Sequence, residues 1–345
     1  MKENTDILLI YTGGTIGMRR NPATGALEAF DFNQLQANVP ELTQFAYHID
    51  TYSFNPPMDS SDMEPKFWKK LVRIIVENYD RYDGFVILHG TDTMAYTASA
   101  LSFMLENLQK PVVLTGSQLP IGVLRTDGKE NLITAIEIAA ARKEDGCPAV
   151  PEVCIFFENQ LLRGNRTTKI NAEGFNAFRS YNYPALATAG THIKYNYPSI
   201  LYHRQKRLIP HYGFDTNVLT LTLFPGIQEN VVKRVLGIEG LKAVVLKTYG
   251  SGNAPQKKWL VDTLKDARQR GIVVVNISQC LTGSVEMQRY ETGQHLLDAG
   301  VVSGHDCTVE SVLTKLMFLL GEGKTMEEIV ECMNIPLCGE FTRED

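Results

Sequence analysis

Three short segments combine glycines with hydroxyl and carboxylate side chains, and each follows an apolar run typical of a strand. They cover residues 12–17 (TGGTIG), 89–93 (HGTDT) and 115–118 (TGSQ). The carboxyl ends of parallel strands meet at one edge of a sheet, where open α/β folds bind their ligands. Glycines let the backbone approach a small ligand, and threonine hydroxyls are possible nucleophiles. The three segments together therefore predict a site for a small polar substrate.

Each segment also has a simpler structural interpretation. Thr91 or Asp92 can cap the helix that follows, since both residue types are favoured N-caps. The pair Gly13 and Gly14 can form a tight turn and nothing more. A dinucleotide site is rejected, because Thr12 stands where the G-x-G-x-x-G fingerprint needs its first glycine. No single segment decides between a site and a turn, but three polar strand ends at one edge favour a site.

The elements that position these segments follow from hydrophobic periodicity. Apolar runs that predict strands occur at residues 7–11, 85–88, 112–114 and 153–157. Helical faces lie between them, formed by Met94, Ala98, Leu101, Leu105 and Leu108, and by Leu132, Ala135, Ile136 and Ala139. Strands that are apolar throughout and alternate with amphipathic helices indicate a parallel sheet covered on both faces.

The pattern breaks after residue 188 and resumes near residue 218. Strands are then predicted at 218–224, 243–246 and 272–277, with helices near 256–269, 308–320 and 325–333. We therefore predict a two-domain α/β protein. A larger N-terminal parallel-sheet domain (1–190) carries the catalytic threonines, a linker spans 191–214, and a smaller C-terminal α/β domain covers 215–345.

Composition narrows the function classes. A chain of 345 residues with a net charge of −5 and no Lys/Arg-rich block disfavours binding to nucleic acid or to an anionic membrane. The first apolar run is too short for a signal peptide, and no run is long enough to cross a membrane, so we expect a cytoplasmic protein. Six cysteines without a CxxC pair predict reduced thiols and no metal site.

The order of the motifs carries a family resemblance. Residues 12–17, 59–62 (DSSD), 90–93 (GTDT), 115–118 and 163–169 (RGNRTTK) resemble the motifs of the bacterial L-asparaginase family. The blocks at residues 82–108 and 161–169 resemble its cytoplasmic, type I branch, and the likeness extends to 250–256 (GSGNAPQ) and 271–280 (GIVVVNISQC). The resemblance implies hydrolysis of the side-chain amide of free asparagine, without a cofactor, by a homo-oligomer, either a dimer or a tetramer built from dimers.

The resemblance also implies roles for particular residues. Thr15 matches the family's nucleophile, and Thr91 matches a second catalytic threonine held with Asp92 and Lys169. We expect Lys169 to act as a base, with its charged form disfavoured by desolvation and by neighbouring cations such as Arg163 and Arg166. The alternative for Lys169 is one more solvated charge in a basic loop.

Substrate recognition is implied in the same way. Asp92 fits the α-amino group of asparagine, and Ser60 with Ser61 fit its α-carboxylate. The stretch 61–65 also reads as a capping box that opens a helix, and both interpretations can hold together because a helix N-terminus suits an anion. Asn253 is a candidate for a contribution across subunits. The family's lid tyrosine has no counterpart in residues 24–27 (TGAL).

A regulatory site is the final expectation from the type I resemblance. Its asparagine-binding effector site matches Thr168, Lys247 and Cys280, and Thr168 directly precedes Lys169. Lysine replaces the usual arginine at position 247, and lysine offers a carboxylate a point charge where arginine offers two donors. Two other functions remain open: an asparagine sensor without turnover, and an amidotransferase subunit that acts on tRNA-bound substrate.

Overall fold

A computed structural model describes residues 5–20, 27–29, 39–205, 207–289 and 291–343. The chain forms two compact units, one of Met1–Ser180 with Pro184–His211 and one of Tyr181–Tyr183 with Tyr212–Asp345. The division between 211 and 212 falls inside the predicted linker, 191–214. That stretch is nevertheless not all linker, because its strand Ile193–Tyr195 pairs with Ala187–Ala189 in the first unit. A strand this short and this exposed has no apolar run by which the sequence could reveal it.

The first unit is built on a mainly parallel sheet. In the described part of the unit, the strands are β1 (Asp6–Tyr11), β2 (Met18–Arg20), β3 (Leu27–Ala29), β4 (His48–Ser53), β5 (Gly84–Leu88), β6 (Leu105–Glu106), β7 (Val112–Thr115), β8 (Val153–Phe157), β9 (Gln160–Arg163), β10 (Thr168–Lys169), β11 (Phe178–Arg179), β12 (Ala187–Ala189), β13 (Ile193–Tyr195) and β14 (Ile209–Pro210). The helices there are α1 (Pro65–Glu77), α2 (Met94–Met104) and α3 (Gly128–Ala140).

The strand order of the large sheet is β13-β12-β9-β8-β7-β5-β1-β4. Strands β4, β1, β5, β7 and β8 run parallel, and β9, β12 and β13 add antiparallel pairs at one side. Every residue of β5, β7 and β8 is buried. This confirms the predicted parallel sheet covered on both faces, because only a strand buried on both sides is apolar throughout.

Helix α2 is shorter than its apolar pattern predicts. It ends at Met104, whereas the predicted face continued through Leu105 and Leu108. Both leucines are buried, but Leu105 begins β6, and Asn107 has a left-handed backbone with φ of 61°. Asparagine is one of the few residues that tolerate this conformation, which turns the chain without exposing the leucines.

The second unit contains a smaller parallel sheet. Its described strands, in the order β15-β16-β17-β18, are β15 (Val218–Thr222), β16 (Ala243–Thr248), β17 (Val273–Ser278) and β18 (Val302–Ser303). Its described helices are α4 (Glu229–Leu236), α5 (Lys258–Gln269), α6 (Glu291–Asp298), α7 (Val309–Gly321) and α8 (Met326–Met333). The predicted helices α5, α7 and α8 begin and end within about two residues of the observed bounds, whereas the short elements α4, α6 and β18 were not predicted. Among the residues that the structure describes, no helix is both long and apolar enough to span a membrane.

A buried ion pair fastens the end of the described chain to α7. Lys315 Nζ lies 2.6 Å from Glu340 Oε1, with the two side chains 1% and 0% exposed. The ammonium also donates to the carbonyl of Ile335, and the carboxylate accepts the backbone N–H groups of Leu337 and Cys338. Several hydrogen bonds to each buried charge offset the cost of removing it from water.

We expect Lys315→Met to lower the free energy of unfolding by about 3–5 kcal/mol, because it leaves a buried carboxylate without its counter-ion. Denaturant-induced unfolding followed by circular dichroism measures the change. Lys324→Met is the matched control: Lys324 pairs with Glu328 at the surface, where an ion pair contributes little. Equal effects of the two substitutions would contradict the importance of the buried pair.

Candidate active site

The three polar segments predicted as a site lie side by side in the first unit. They follow β1, β5 and β7, which are neighbours in the sheet. The parallel register pairs Tyr11 with Leu88 and Leu88 with Thr115, so the three strands end at the same level. The turns after these strands therefore share one edge, as the sequence predicted.

Backbone packing between the first two turns requires glycine. Gly14 has φ of 91°, and a Cβ built on it would lie 2.5 Å from the backbone of Gly90. A Cβ on Gly13 would lie 2.0 Å from the carbonyl oxygen of Met58. The glycine pair thus bends the chain and also makes a close contact between two site segments, so a turn and a site are compatible here.

The proposed nucleophile, Thr15, is the first residue of a short 3-10 turn that the Tyr11 side chain supports. The turn spans Thr15–Gly17, and Thr15 is half-buried. The buried phenol of Tyr11 donates to the carbonyl of Gly17 at 3.2 Å, and a Cβ on Gly17 would overlap the Tyr11 ring. Burial raises the pKa of Tyr11 to about 12, so its hydroxyl stays protonated and remains a donor.

Three of the predicted catalytic residues are in direct contact. Lys169 Nζ lies 2.8 Å from Thr91 Oγ1 and 2.7 Å from Asp92 Oδ1. The Lys169 side chain is 19% exposed, whereas that of Asp92 is 65% exposed. Lys169 belongs to β10, which pairs only two residues with β11, yet it reaches the turn that follows β5. Lys169 is therefore a partly buried and paired charge, which counts against its interpretation as a solvated loop charge.

Gln118 is a site residue that sequence reasoning did not select. Its Oε1 lies 3.4 Å from Thr91 Oγ1, and its Nε2 donates to the carbonyl of Gly174 at 3.0 Å. Because the Lys169 ammonium donates to Thr91, the threonine hydroxyl is free to direct its own proton to Gln118. The signal was present in the third strand-end motif, which was recognised as a segment but not assigned a role.

The positive charges expected around Lys169 are arranged differently. Arg163 forms a two-point ion pair with Glu152, at 2.6 and 3.1 Å, and both side chains are 5% exposed. Glu152 therefore balances the positive charge of Arg163. Arg166 is buried in the 3-10 turn Gly164–Arg166. Of the two cations expected near Lys169, Arg163 is thus paired with an acidic residue that the sequence did not single out.

The capping alternatives are both wrong. The N-cap of α2 is Thr93, which makes no capping bond and instead donates to the carbonyl of Ser60 at 2.6 Å. The N-cap of α1 is Glu64, again without a side-chain cap. At the first place the Thr93 hydroxyl joins two segments, whereas at the second the Ser61 side chain bonds to Asp59 within its own turn.

The predicted carboxylate-binding serines occupy the 3-10 turn Ser60–Asp62. Ser60 is buried, and a Cβ on Gly90 would lie 2.4 Å from its Oγ. Ser61 is exposed, and its N–H and hydroxyl both donate to Asp59 Oδ1 at 2.9 Å. These hydrogen bonds lower the pKa of Asp59 below its usual value, so Asp59 is ionised and can fix the turn.

The remaining predicted residues divide between the units. Thr168 lies in β10 of the first unit, next to Lys169. Lys247 lies near the end of β16, where its carbonyl accepts Gln279 Nε2 at 3.1 Å, and the exposed Cys280 follows the adjacent β17. Asn253, also in the second unit, exchanges two backbone hydrogen bonds with Tyr249. Residues 24–26 of the predicted lid lie outside the described residues.

Comparisons with known proteins cover the whole length of the chain. An asparaginase N-terminal model matches residues 6–201, and a glutaminase/asparaginase C-terminal domain model matches residues 217–333. L-asparaginase 1 of Escherichia coli K12 is 46% identical, over 99% of this chain and 100% of that protein. The crystal structure of L-asparaginase I from Vibrio cholerae covers 99% of this chain and 100% of its own, with a TM-score of 0.90 and 42% identity. A glutamyl-tRNA(Gln) amidotransferase component of Pyrococcus horikoshii is 32% identical, over 98% of this chain and 77% of that protein.

We expect Gly14→Ala to lower the free energy of unfolding by about 1–3 kcal/mol, because the left-handed backbone and the Gly90 contact both oppose a Cβ. Thermal unfolding measures the difference. The control is Gly122→Ala, where a Cβ meets nothing within 4 Å. That variant should be as stable as the parent or slightly more so, and a Gly14→Ala variant of parental stability would refute the constraint.

Proposed function

The chain belongs to the L-asparaginase family of amidohydrolases, in its type I branch, and we propose that it hydrolyses free L-asparagine to L-aspartate and ammonia. One observation in this chain supports the proposal above the others. Lys169 contacts both Thr91 and Asp92, although they lie 78 and 77 residues away in sequence. A threonine, a lysine and a carboxylate within hydrogen-bonding distance are the groups that amide hydrolysis needs for proton transfer. We further propose that the enzyme is a cytoplasmic homo-oligomer, as the resemblance implies.

We assign the nucleophile to Thr15. Its hydroxyl oxygen attacks the side-chain carbonyl carbon of asparagine, and the carbon–nitrogen bond breaks. The proton released by Thr15 leaves with the amide nitrogen as ammonia, so that an ester joins Thr15 to the aspartyl group. Water then splits the ester, returns a proton to Thr15 and releases aspartate. The 3-10 turn braced by Tyr11 supports this role, because a nucleophile must be held in a fixed orientation.

We assign proton transfer to Thr91 and Lys169. The 2.8 Å between Thr91 Oγ1 and Lys169 Nζ permits a proton to pass between them without a side-chain movement. Lys169 acts as the base in this scheme in its neutral form, whose amine nitrogen accepts a proton from Thr91 while an N–H still donates to Asp92 Oδ1. Gln118 orients the Thr91 hydroxyl from the other side at 3.4 Å.

Asparagine itself is a zwitterion, and the first unit offers groups for both of its charges. The Asp92 side chain is mostly exposed, so it remains accessible to an α-amino group while Oδ1 holds Lys169. Ser60 and Ser61 receive the α-carboxylate in our proposal. We propose that Asn253 contributes to this site from a second copy of the chain, as the family resemblance implies.

The alternative functions are less well supported. An amidotransferase subunit acts on tRNA, and the net charge of −5 with no Lys/Arg-rich block offers nucleic acid no favourable surface. An asparagine sensor needs Ser60, Ser61 and Asp92 but has no need for a lysine placed on Thr91. The proposed hydrolase accounts for both sets of contacts.

Ammonia release from asparagine, glutamine and D-asparagine tests the proposal directly. We expect turnover of asparagine, and a loss on the order of a thousandfold or more in kcat for Thr15→Val, Thr91→Val and Lys169→Met, because each removes a reacting group but keeps the shape. Thr188→Val is the matched control, since Thr188 is an exposed strand residue of the same type. A wild-type protein that binds asparagine but releases no ammonia would leave only the sensor.

We also propose that asparagine activates the enzyme through a second site involving Thr168, Lys247 and Cys280. The adjacency of Thr168 and Lys169 in β10 supports this, because a ligand on one can shift the other. We expect a sigmoidal dependence of rate on asparagine concentration in the wild type, and its loss in Thr168→Ala but not in Thr168→Ser. A hyperbolic wild-type curve, with one asparagine bound per subunit by calorimetry, would contradict the proposed regulatory site.

A further inference from the structure

Three buried side chains form a hydrogen-bonded series next to the turn that carries Thr91. His89 Nδ1 lies 2.7 Å from the carbonyl oxygen of Gly90, and His89 Nε2 lies 2.9 Å from Thr97 Oγ1. Thr97 Oγ1 in turn lies 3.1 Å from Trp68 Nε1. The side chains belong to three elements: Trp68 to α1, Thr97 to α2, and His89 to the turn after β5.

The chemistry of these groups fixes the direction of every hydrogen bond. A carbonyl oxygen only accepts, so His89 Nδ1 carries the proton that it donates to Gly90. An indole N–H only donates, so Thr97 Oγ1 accepts from Trp68. The neutral imidazole then has an acceptor at Nε2, to which the Thr97 hydroxyl donates. The relay therefore runs from Trp68 through Thr97 and His89 to Gly90, and each of its polar atoms has a partner.

The imidazole is neutral in this arrangement. His89 is 1% exposed, and the loss of hydration lowers its pKa to about 4, despite the hydrogen bond to Gly90 that favours the charged form. Both ring nitrogens are engaged, and the ring has no access to solvent. His89 therefore has no route to a bound substrate, so it cannot serve as a general acid or base for it.

The last bond of the relay acts on the peptide that links Gly90 to Thr91. A peptide group is planar, so holding the Gly90 carbonyl also fixes the direction of the Thr91 N–H. Gly90 lies close to both Gly14 and Ser60, since a Cβ built on Gly90 would lie 3.5 Å from Gly14 Cα and 2.4 Å from Ser60 Oγ. A rotation of this peptide therefore displaces the turn of Thr15 and the turn of Ser60 as well as Thr91 itself.

From these contacts we infer that His89 is a positioning residue. It fixes the orientation of the Gly90–Thr91 peptide and thereby holds Thr91 at hydrogen-bonding distance from Lys169. The inference rests on the proposed hydrolysis of asparagine. The proposed role of His89 differs from a purely structural role in one measurable respect. Loss of the Nδ1 donor should lower turnover by more than any accompanying change in stability explains, because a small misplacement of a reacting group is costly to the rate.

Two substitutions distinguish the roles of the two ring nitrogens of His89. His89→Asn places an amide near the position of Nδ1 and retains a donor to Gly90, whereas His89→Gln places its amide near Nε2 and loses that donor. We expect kcat to fall at least about tenfold for His89→Gln, with KM changed by less than about threefold, and to stay within about threefold of wild type for His89→Asn. Circular dichroism and thermal unfolding establish that both variants are folded.

A second pair tests the middle of the relay and decides the matter if a His89 variant does not fold. Thr97→Val removes the hydroxyl but keeps the shape, and Thr97→Ser keeps the hydroxyl. We expect the valine variant to lose turnover and the serine variant to retain it.

Wild-type kcat and KM in His89→Gln would overturn the inference, and so would equal losses in the Gln and Asn variants, because the ring would then act by packing alone. A measurement without turnover keeps the inference separate from the proposed function. In long-range proton–nitrogen NMR spectra, the His89 signal, identified by its absence in His89→Asn, should show a neutral ring protonated at Nδ1. A ring protonated at Nε2 would overturn the inference even if the wild type hydrolyses asparagine. A wild type with no activity but with the Nδ1 tautomer would instead count against the proposed function.

Discussion

The contact between the backbones of Gly14 and Gly90 is the constraint on which the proposed active site depends. It exists because β1 and β5 are parallel neighbours that end at the same level, so their turns leave the sheet side by side. A side chain at Gly14 would push the turns apart, since its Cβ would lie 2.5 Å from Gly90. Thr15 follows Gly14, and Thr91 follows Gly90. The separation of the two threonine backbones is therefore set by main-chain packing rather than by flexible side chains.

The sequence predicted the parts of the molecule that depend on local pattern. The buried strands β5, β7 and β8 are recognisable because they are apolar on both faces, and α3 has the spacing of an amphipathic helix. The polar segments at the strand ends follow from the same logic, since parallel topology determines which edge they share. The bounds of α5, α7 and α8 were close for the same reason.

Contacts between segments far apart in sequence were beyond that reasoning. Arg163 is paired with Glu152, an acidic residue in no recognisable motif, so the sequence did not reveal that the charge of Arg163 is balanced. Gln118 could be recognised as part of the site only from its position next to Thr91. The N-cap of α2 is Thr93, although Thr91 and Asp92 are also residue types favoured at that position. Neither the spacing nor the type of a residue reveals a partner that lies far away along the chain. Short elements such as β13 were missed because three residues carry too little periodicity.

The lysine of the proposed active site lies on a very short strand. Lys169 is delivered by β10, a strand of two residues that pairs with β11 and is extended by one bond between Ile170 and Ala177. Hydrogen-bonded elements of this size open locally far more often than the central strands of a sheet. The threonines follow inner strands of the large sheet, whereas the lysine lies on a small ladder whose amide hydrogens we expect to exchange sooner. We therefore expect the arrangement around Lys169 to be lost on heating or in mild denaturant when this small ladder opens, before the large sheet unfolds.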